Sequence, residues 1–129
     1  MSNTRRTGLK NLYRDEFLRS RAWFARRERW FRDHGRAGRV PCAACGTVGS
    51  KSDLELHHID YRGVRIIRGE WQAWEDDDDL IALHPYCHEL LHRLIDRDII
   101  LAKHRTRRQA SAHALHALQQ KLRPVKDAS

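Results

Sequence analysis

The sequence predicts a small α+β domain, mostly helical, organised around a strand, a long connection, a second strand and a helix. Three observations carry that reading. Five of the nine histidines fall between Leu54 and His92, as a pair, a single and another pair. Cys42-Ala43-Ala44-Cys45 lies just upstream, and His84-Pro85-Tyr86-Cys87 repeats its two-residue gap. Helical periodicity flanks this segment on both sides, over residues 20–34 and 103–122.

A chain of 129 residues is read as one domain with a modest core. The core spans residues 40–97, with basic helical extensions over 11–36 and 103–122. Lys plus Arg number 25 against 17 acids, a net charge of +8, and the pI is near 10.0. That balance points to an anionic partner, most commonly nucleic acid. Residues 1–40 carry 12 basic and 4 acidic groups, residues 41–80 carry 4 and 9, and residues 81–129 carry 9 and 4. Basic arms therefore flank an acidic middle. Three cysteines cannot all pair, and two sit in Cys-x-x-Cys, so a metal fits better than a disulfide framework. No apolar run is long enough to span a bilayer and no signal-peptide hydrophobic region is seen, so a soluble cytoplasmic protein with no membrane partner is expected.

Residues 1–10 read as a polar, basic tail. Asn11 to Leu18 can form a short helix with Leu12, Phe17 and Leu18 as its apolar set. Ser20 is placed to cap a second helix running to about His34, with Gly35 and Gly38 ending it. Trp23, Phe24, Arg27, Trp30 and Phe31 share one face, read as core packing. Arginine is not buried unpaired, so Arg21, Arg26, Arg29 and Arg32 are assigned to water or phosphate. Leu54 to His58 reads as a strand. Gly63 to Trp74 reads as a short hairpin or irregular excursion, with Trp71 and Trp74 as lids over the core. Glu75 to Asp79 is an acidic run, whose usual meaning is a solvated loop.

Pro85 suits the first position of the next helix, where its missing N–H costs nothing. With His88 at 0°, His92 falls near 40°, while Cys87, Leu90, Leu91, Leu94 and Ile95 fall between roughly 200° and 340°. The two histidines border the apolar arc one turn apart, a spacing that suits two imidazoles on one metal. Asp98 to Ala102 is an apolar link. Lys103 to Leu122 reads as the last helix, with Ser111, Leu115, Leu118 and Leu122 inside, and Pro124 closes it. Arg105, Arg107 and Arg108 load its start with positive charge, which opposes the helix dipole and hints at phosphate binding.

Cys42, Cys45, His84 and Cys87 form a zinc-knuckle ligand set. Four protein ligands leave no open position, so this zinc is expected to be structural. Cys87, near a helix N-terminus, has its thiolate favoured by the dipole. A redox role is disfavoured because no thioredoxin-like βαβ pattern surrounds Cys42 and Cys45.

Taken together, the pattern over residues 42–92 resembles the HNH endonucleases, the ββα-metal or His-Me finger nucleases, in their zinc-knuckle form and of the small bacterial or phage type. The matching positions are Cys42/Cys45, His57/His58, Asp79-Leu80, His84/Cys87, His88 and His92. His84 stands where many members have a cysteine, and Asp79 where the family usually has asparagine. The resemblance implies a ββα-metal core and a metal-dependent endonuclease that hydrolyses phosphodiester bonds, with double-stranded DNA as partner.

Phosphodiester hydrolysis needs an activated water, charge neutralisation and help for the leaving 3′ oxygen. An imidazole with an unperturbed pKa near 6.5 can take a proton at neutral pH, so His58 is assigned as general base. His57, His88 and His92 are assigned to a catalytic divalent metal. The resemblance gives the same roles, and gives Asp79 that of bracing the loop that carries the base. Imidazoles suit Zn²⁺, Ni²⁺, Co²⁺ or Mn²⁺, while the family commonly uses Mg²⁺ or Mn²⁺, so a permissive site is expected. Neighbours on a regular strand point to opposite faces. His57 and His58 therefore serve one site only if the strand bends or ends there. An imidazole at 58 turned away from the trio, with no room for a phosphate between, would leave only a binding module. The alternatives are a non-catalytic zinc-finger binder that keeps this fold, or a subunit of a larger packaging, restriction or mobile-element complex.

Overall fold

The computed structural model describes residues 14–97 and 105–123. The tail at 1–10, the first residues of the expected 11–18 helix, the 98–102 link, residues 103–104 and Pro124 lie outside the described residues. Within them the chain is α+β: three α-helices named below, a helical stretch at residues 14–18, and three small antiparallel sheets.

Helix α1 spans Arg21–His34. Ser20 caps it in extended backbone, its hydroxyl accepting from the Trp23 amide at 3.2 Å. The inward face differs from the expected one by a fraction of a turn. Trp23, Arg26, Trp30 and Phe31 are buried, whereas Phe24 is 54% exposed. With Trp23 at 0°, Arg26 falls near 300° and Phe24 near 100°, so the helix has rolled Arg26 inward at Phe24's expense. Arg26 is buried because it is paired. Its Nε and Nη2 donate to the Glu75 carbonyl at 3.1 and 2.7 Å, and Nη2 also reaches Asp77 Oδ1 at 2.6 Å.

Strands β1 (Val40–Pro41) and β2 (Val48–Gly49) pair antiparallel and present the Cys42–Thr47 turn between them. Gly46 turns with φ +84°, a region that side chains disfavour. Strand β3 (Glu55–His58) pairs with β6 (Leu80–Leu83) in unbroken register, from Glu55 opposite Leu83 to His58 opposite Leu80. The 63–74 segment is the hairpin: β4 (Val64–Ile67) on β5 (Glu70–Ala73), turned by Arg68 and Gly69 at positive φ. Gly63 sits so close to the returning chain that a Cβ would lie 2.5 Å from the Trp74 carbonyl. Trp71 covers Phe17 as expected, with centroids 5.4 Å apart. Trp74 does not; it is 56% exposed.

Helix α2 (Pro85–Arg97) packs on β3 and β6 through buried Cys87 and Leu91. Helix α3 (Arg107–Leu122) packs along α2 and buries Ser111, Ala114 and Leu118. Its start is set by Thr106 and Gln109, which form a reciprocal capping box. The core gathers Phe17, Trp23, Trp30, Leu54, Leu83, Leu91 and Leu118 from the helices and from the strands between them. The acidic run is a 3₁₀ turn over Asp77–Asp79 with exposed middle residues, but its two ends are buried. Glu75 is 3% exposed and Asp79 0%. The expected solvated loop is therefore corrected to a strap with both ends held in ion pairs.

Candidate metal centre

Two ligand clusters lie on either side of the start of α2. In the first, one donor atom each from Cys42, Cys45, His84 and Cys87 falls within 4.8 Å of the others. The β1–β2 turn supplies two thiols, and the junction of β6 and α2 supplies the rest. Cys45 Sγ is 3.5 Å from His84 Nδ1. A tetrahedral ion with a bond of about 2.3 Å to sulfur and about 2.0 Å to nitrogen has a mixed edge of about 3.5 Å, so the donor set fits zinc. Contrary to the thiolate expected from the helix dipole, burial and the neighbouring Cys42 and Cys45 push the Cys87 thiol up to about 12. Burial works against the Cys45 thiolate too, but hydrogen bonds from Thr47, Cys42 and His84 outweigh it and bring it to about 6. Three sulfurs this close need a cation to ionise together. Helix α3 closes over this turn. Gln119 Nε2 and Arg123 Nη2 each donate to the Ala43 carbonyl at 2.9 Å, and Arg123 Nε to that of Ala44 at 2.9 Å.

The second cluster is His57, His88 and His92, also within 4.8 Å of one another. His57 Nδ1 lies 3.2 Å from His88 Nε2, and His92 Nε2 lies 3.1 Å from the same atom. Tetrahedral bonds of about 2.0 Å give nitrogen–nitrogen edges of about 3.3 Å, so this set also fits one ion. Two of the three outer nitrogens that would orient the rings have partners. His88 Nδ1 donates to Glu55 Oε1 at 2.8 Å, and His57 Nε2 faces Ser111 Oγ at 3.0 Å. These contacts leave the converging nitrogens free as acceptors. Burial, aided by Arg107 and the other imidazoles, holds His57 down at about 2. Burial, then His88 and Arg107, holds His92 at about 4. Both are therefore neutral at physiological pH, as a ligand must be. The His88 side chain is 21% exposed, so this cluster opens toward solvent.

His58 does not join it. Because β3 stays paired through His58, the side chains alternate: Glu55 and His57 face α2, while His58 faces α1. Its imidazole is 2% exposed and stacks on Tyr61 at 4.3 Å, with Trp23 at 4.7 Å and Phe17 at 5.8 Å. Its Nε2 meets Glu75 Oε2 at 2.6 Å. Burial lowers its pKa, partly offset by Glu75. The general-base assignment of His58 is thus corrected: the bend that would have brought it beside His57 is absent.

Asp79, expected to brace the loop that carries the base, is fully buried. It belongs to neither ligand cluster among the described residues. Its carboxylate accepts from Arg62 Nε at 3.1 Å and from Arg108 Nη2, while its carbonyl accepts from the Ile59 amide at 2.7 Å. It braces the loop after β3 through two guanidinium groups. Of the expected nucleic-acid arginines, Arg21, Arg29 and Arg32 are exposed along α1, and Arg105 is half-buried just before α3. Arg26 and Arg108 are committed to Asp77 and Asp79. Arg107 stands beside the three-histidine cluster. Sequence reasoning missed Glu55, Ser111 and Glu75. Glu55 had a signal, since it is two residues before His57 and so on its face of the strand. No family model, curated protein or solved structure matches the chain. No helix among the described residues is long and apolar enough to cross a membrane.

Proposed function

We propose that the chain is a metal-dependent endonuclease of the HNH, ββα-metal kind, hydrolysing nucleic-acid phosphodiester bonds at the centre framed by His57, His88 and His92. The observation that carries this reading is a three-imidazole donor set, with outer partners on His57 and His88 and with His88 partly exposed to solvent. A set of three protein ligands leaves a coordination position for substrate, whereas the Cys42/Cys45/His84/Cys87 set is complete and suits a structural zinc. When bound, a divalent cation at the histidine centre supplies Lewis acidity toward a phosphoryl oxygen and acidifies a water. The chain's own part is to keep His57 and His92 neutral and to aim the imidazoles. Glu55 orients His88, and Ser111 orients His57. The net charge of +8 supports a polyanionic substrate. His58 has no step in this scheme.

The test is plasmid nicking with Mg²⁺, Mn²⁺ or Zn²⁺ against chelator, comparing wild type, His92→Ala and His58→Gln. Nicking should need metal, vanish in His92→Ala, and persist within about threefold in folded His58→Gln, on the scale of lost general-base catalysis at 10²–10⁴-fold. Loss of nicking in a folded, metal-binding His58→Gln would return His58 to the chemistry. The burial of His58 favours a second reading, a zinc-stabilised nucleic-acid binder. DNA binding by the zinc-loaded protein with no nicking under any of these ions would select it.

A further inference from the structure

We propose that Arg107 and Arg14 form a phosphate cradle beside the three-histidine centre and position the backbone phosphate on which it acts; this inference rests on the nuclease reading above. Arg107 Nε donates to the His58 carbonyl at 2.8 Å. Its guanidinium carbon lies 4.8 Å from the centroid of Tyr61, and that of Arg14 lies 5.4 Å from the same ring. Tyr61 is itself held by stacking on His58. The aromatic ring therefore gathers two cations that would otherwise repel.

The other arginines of this region are neutralised. Arg26 meets Asp77, Arg62 meets Asp76 and Asp79, and Arg108 meets Asp79. Among the described residues, no carboxylate lies within 4.0 Å of Arg107 or of Arg14. Burial penalises the Arg107 charge and Arg14 adds to the penalty, which Tyr61 and the more distant Asp60 and Asp96 only partly offset. A half-buried pair of like charges with no carboxylate in direct contact is stabilised by an anion, and a guanidinium fork matches two phosphate oxygens.

Their position selects the anion. Arg107 is one helical turn before Ser111, which touches His57, so one face of α3 lines both the cradle and the centre. The charge of Arg107 is felt at His57 and His92, and that of Arg14 at His92. Arg107 also holds the carbonyl of His58, the residue next to His57, so a phosphodiester held by the arginines is within reach of the imidazoles. These are positioning residues; they move no proton.

The experiment measures anisotropy of a labelled random-sequence duplex on zinc-loaded protein across a salt series, without added Mg²⁺ or Mn²⁺. Nicking kinetics with Mn²⁺ run beside it. The variants are Arg107→Gln, Arg14→Gln, the double, Arg107→Lys, and Arg36→Gln as an exposed single-charge control. The double should bind at least tenfold more weakly than the control and reduce the slope of log affinity against log salt by about 2. Arg107→Gln should lose about 100-fold in kcat/KM, and Arg107→Lys should recover part of it. Folded Arg107 and Arg14 variants that bind, respond to salt and nick like Arg36→Gln would overturn the cradle. If Arg107→Gln does not fold, Arg107→Lys and Arg14→Gln carry the same comparison. Wild type that never nicks, while the arginine effects on binding hold, would remove the hydrolase and keep the cradle.

Discussion

The two ligand clusters share α2 yet are built on opposite plans. Cys42, Cys45, His84 and Cys87 surround their centre on all sides, and α3 seals the turn through Gln119 and Arg123. His57, His88 and His92 converge from one side, with Glu55 and Ser111 behind them and solvent beyond His88. The closed plan joins the β1–β2 turn to α2, so an ion there would hold elements together. The open plan uses residues that β3, β6 and α2 already position by packing, so an ion there would add little to the fold. The difference separates a centre that makes the architecture from one that the architecture makes.

The largest effect should come from breaking the closed centre. Structural zinc contributes on the order of 10 kcal/mol to small zinc domains, comparable to the whole stability of a chain this size. Cys42→Ser, or zinc removal by a strong chelator, should abolish the cooperative thermal transition seen by circular dichroism. His92→Ala should keep that transition within a few degrees while losing one equivalent of metal. Equal collapse in both would show that the two centres are not distinct in kind.

Next in size is the opposite face of β3. Glu75 is buried between His58 and Arg26, and its Oε1 and the Arg26 Nη1 have no hydrogen-bond partner among the described residues. Removing the His58 ring leaves the buried Glu75 carboxylate without its hydrogen bond, at about 1.5–3 kcal/mol. His58→Ala should therefore lower stability in urea by about that amount and leave metal affinity at the histidine centre unchanged. A large change in that affinity with little loss of stability would place His58 functionally with His57 after all.

Both ligand clusters were legible because their spacing is local. A two-residue gap repeated at 42–45 and 84–87, and an i, i+4 pair on α2, need no knowledge of the rest of the fold. Ser20 as a cap was legible for the same reason, and the Thr106-x-x-Gln109 capping box carried the same kind of signal unread. What was hidden depended on distant partners. Arg26 reads as a surface residue until Glu75 and Asp77, about fifty positions on, neutralise it. Glu75 and Asp79 read as two more acids in a solvated run until Arg26, Arg62 and Arg108 reach them. The direction of His58 depended on whether β3 keeps its pairing to the end, which alternation alone leaves open. Ser111 was placed inside correctly, but its partner on His57 is 54 residues away.

Smaller effects sharpen the open centre. Outer partners of metal-bound histidines typically change affinity by 10–100-fold. Ser111→Ala and Glu55→Gln should weaken divalent binding at the histidine centre by that factor, read by competition with a calibrated chelator, with zinc content at the cysteine centre unchanged. Ser111→Ala should show the larger loss, since it is buried whereas the Glu55 side chain is 51% exposed and water can replace it. The reverse order would mean that the His88 side, not the His57 side, sets the geometry.

The smallest expected effect tests whether α3 transmits its stability to the open centre. Thr106 caps α3 through its hydroxyl, which accepts from the Gln109 amide at 3.0 Å, and Gln109 answers at the Thr106 amide at 2.9 Å. Losing such a cap costs about 1 kcal/mol. Arg107 and Ser111 occupy the first two turns that this cap holds, whereas Gln119 and Arg123 at the far end rest on the cysteine turn. Fraying from the N-terminus therefore reaches the histidine centre first. Thr106→Ala should lower global stability by about 1 kcal/mol, raise amide exchange over residues 107–111, and weaken histidine-centre metal binding by a few-fold while the cysteine centre keeps its ion. Exchange that rises equally along the whole helix would show that α3 opens as one unit and that the two ends are not held independently.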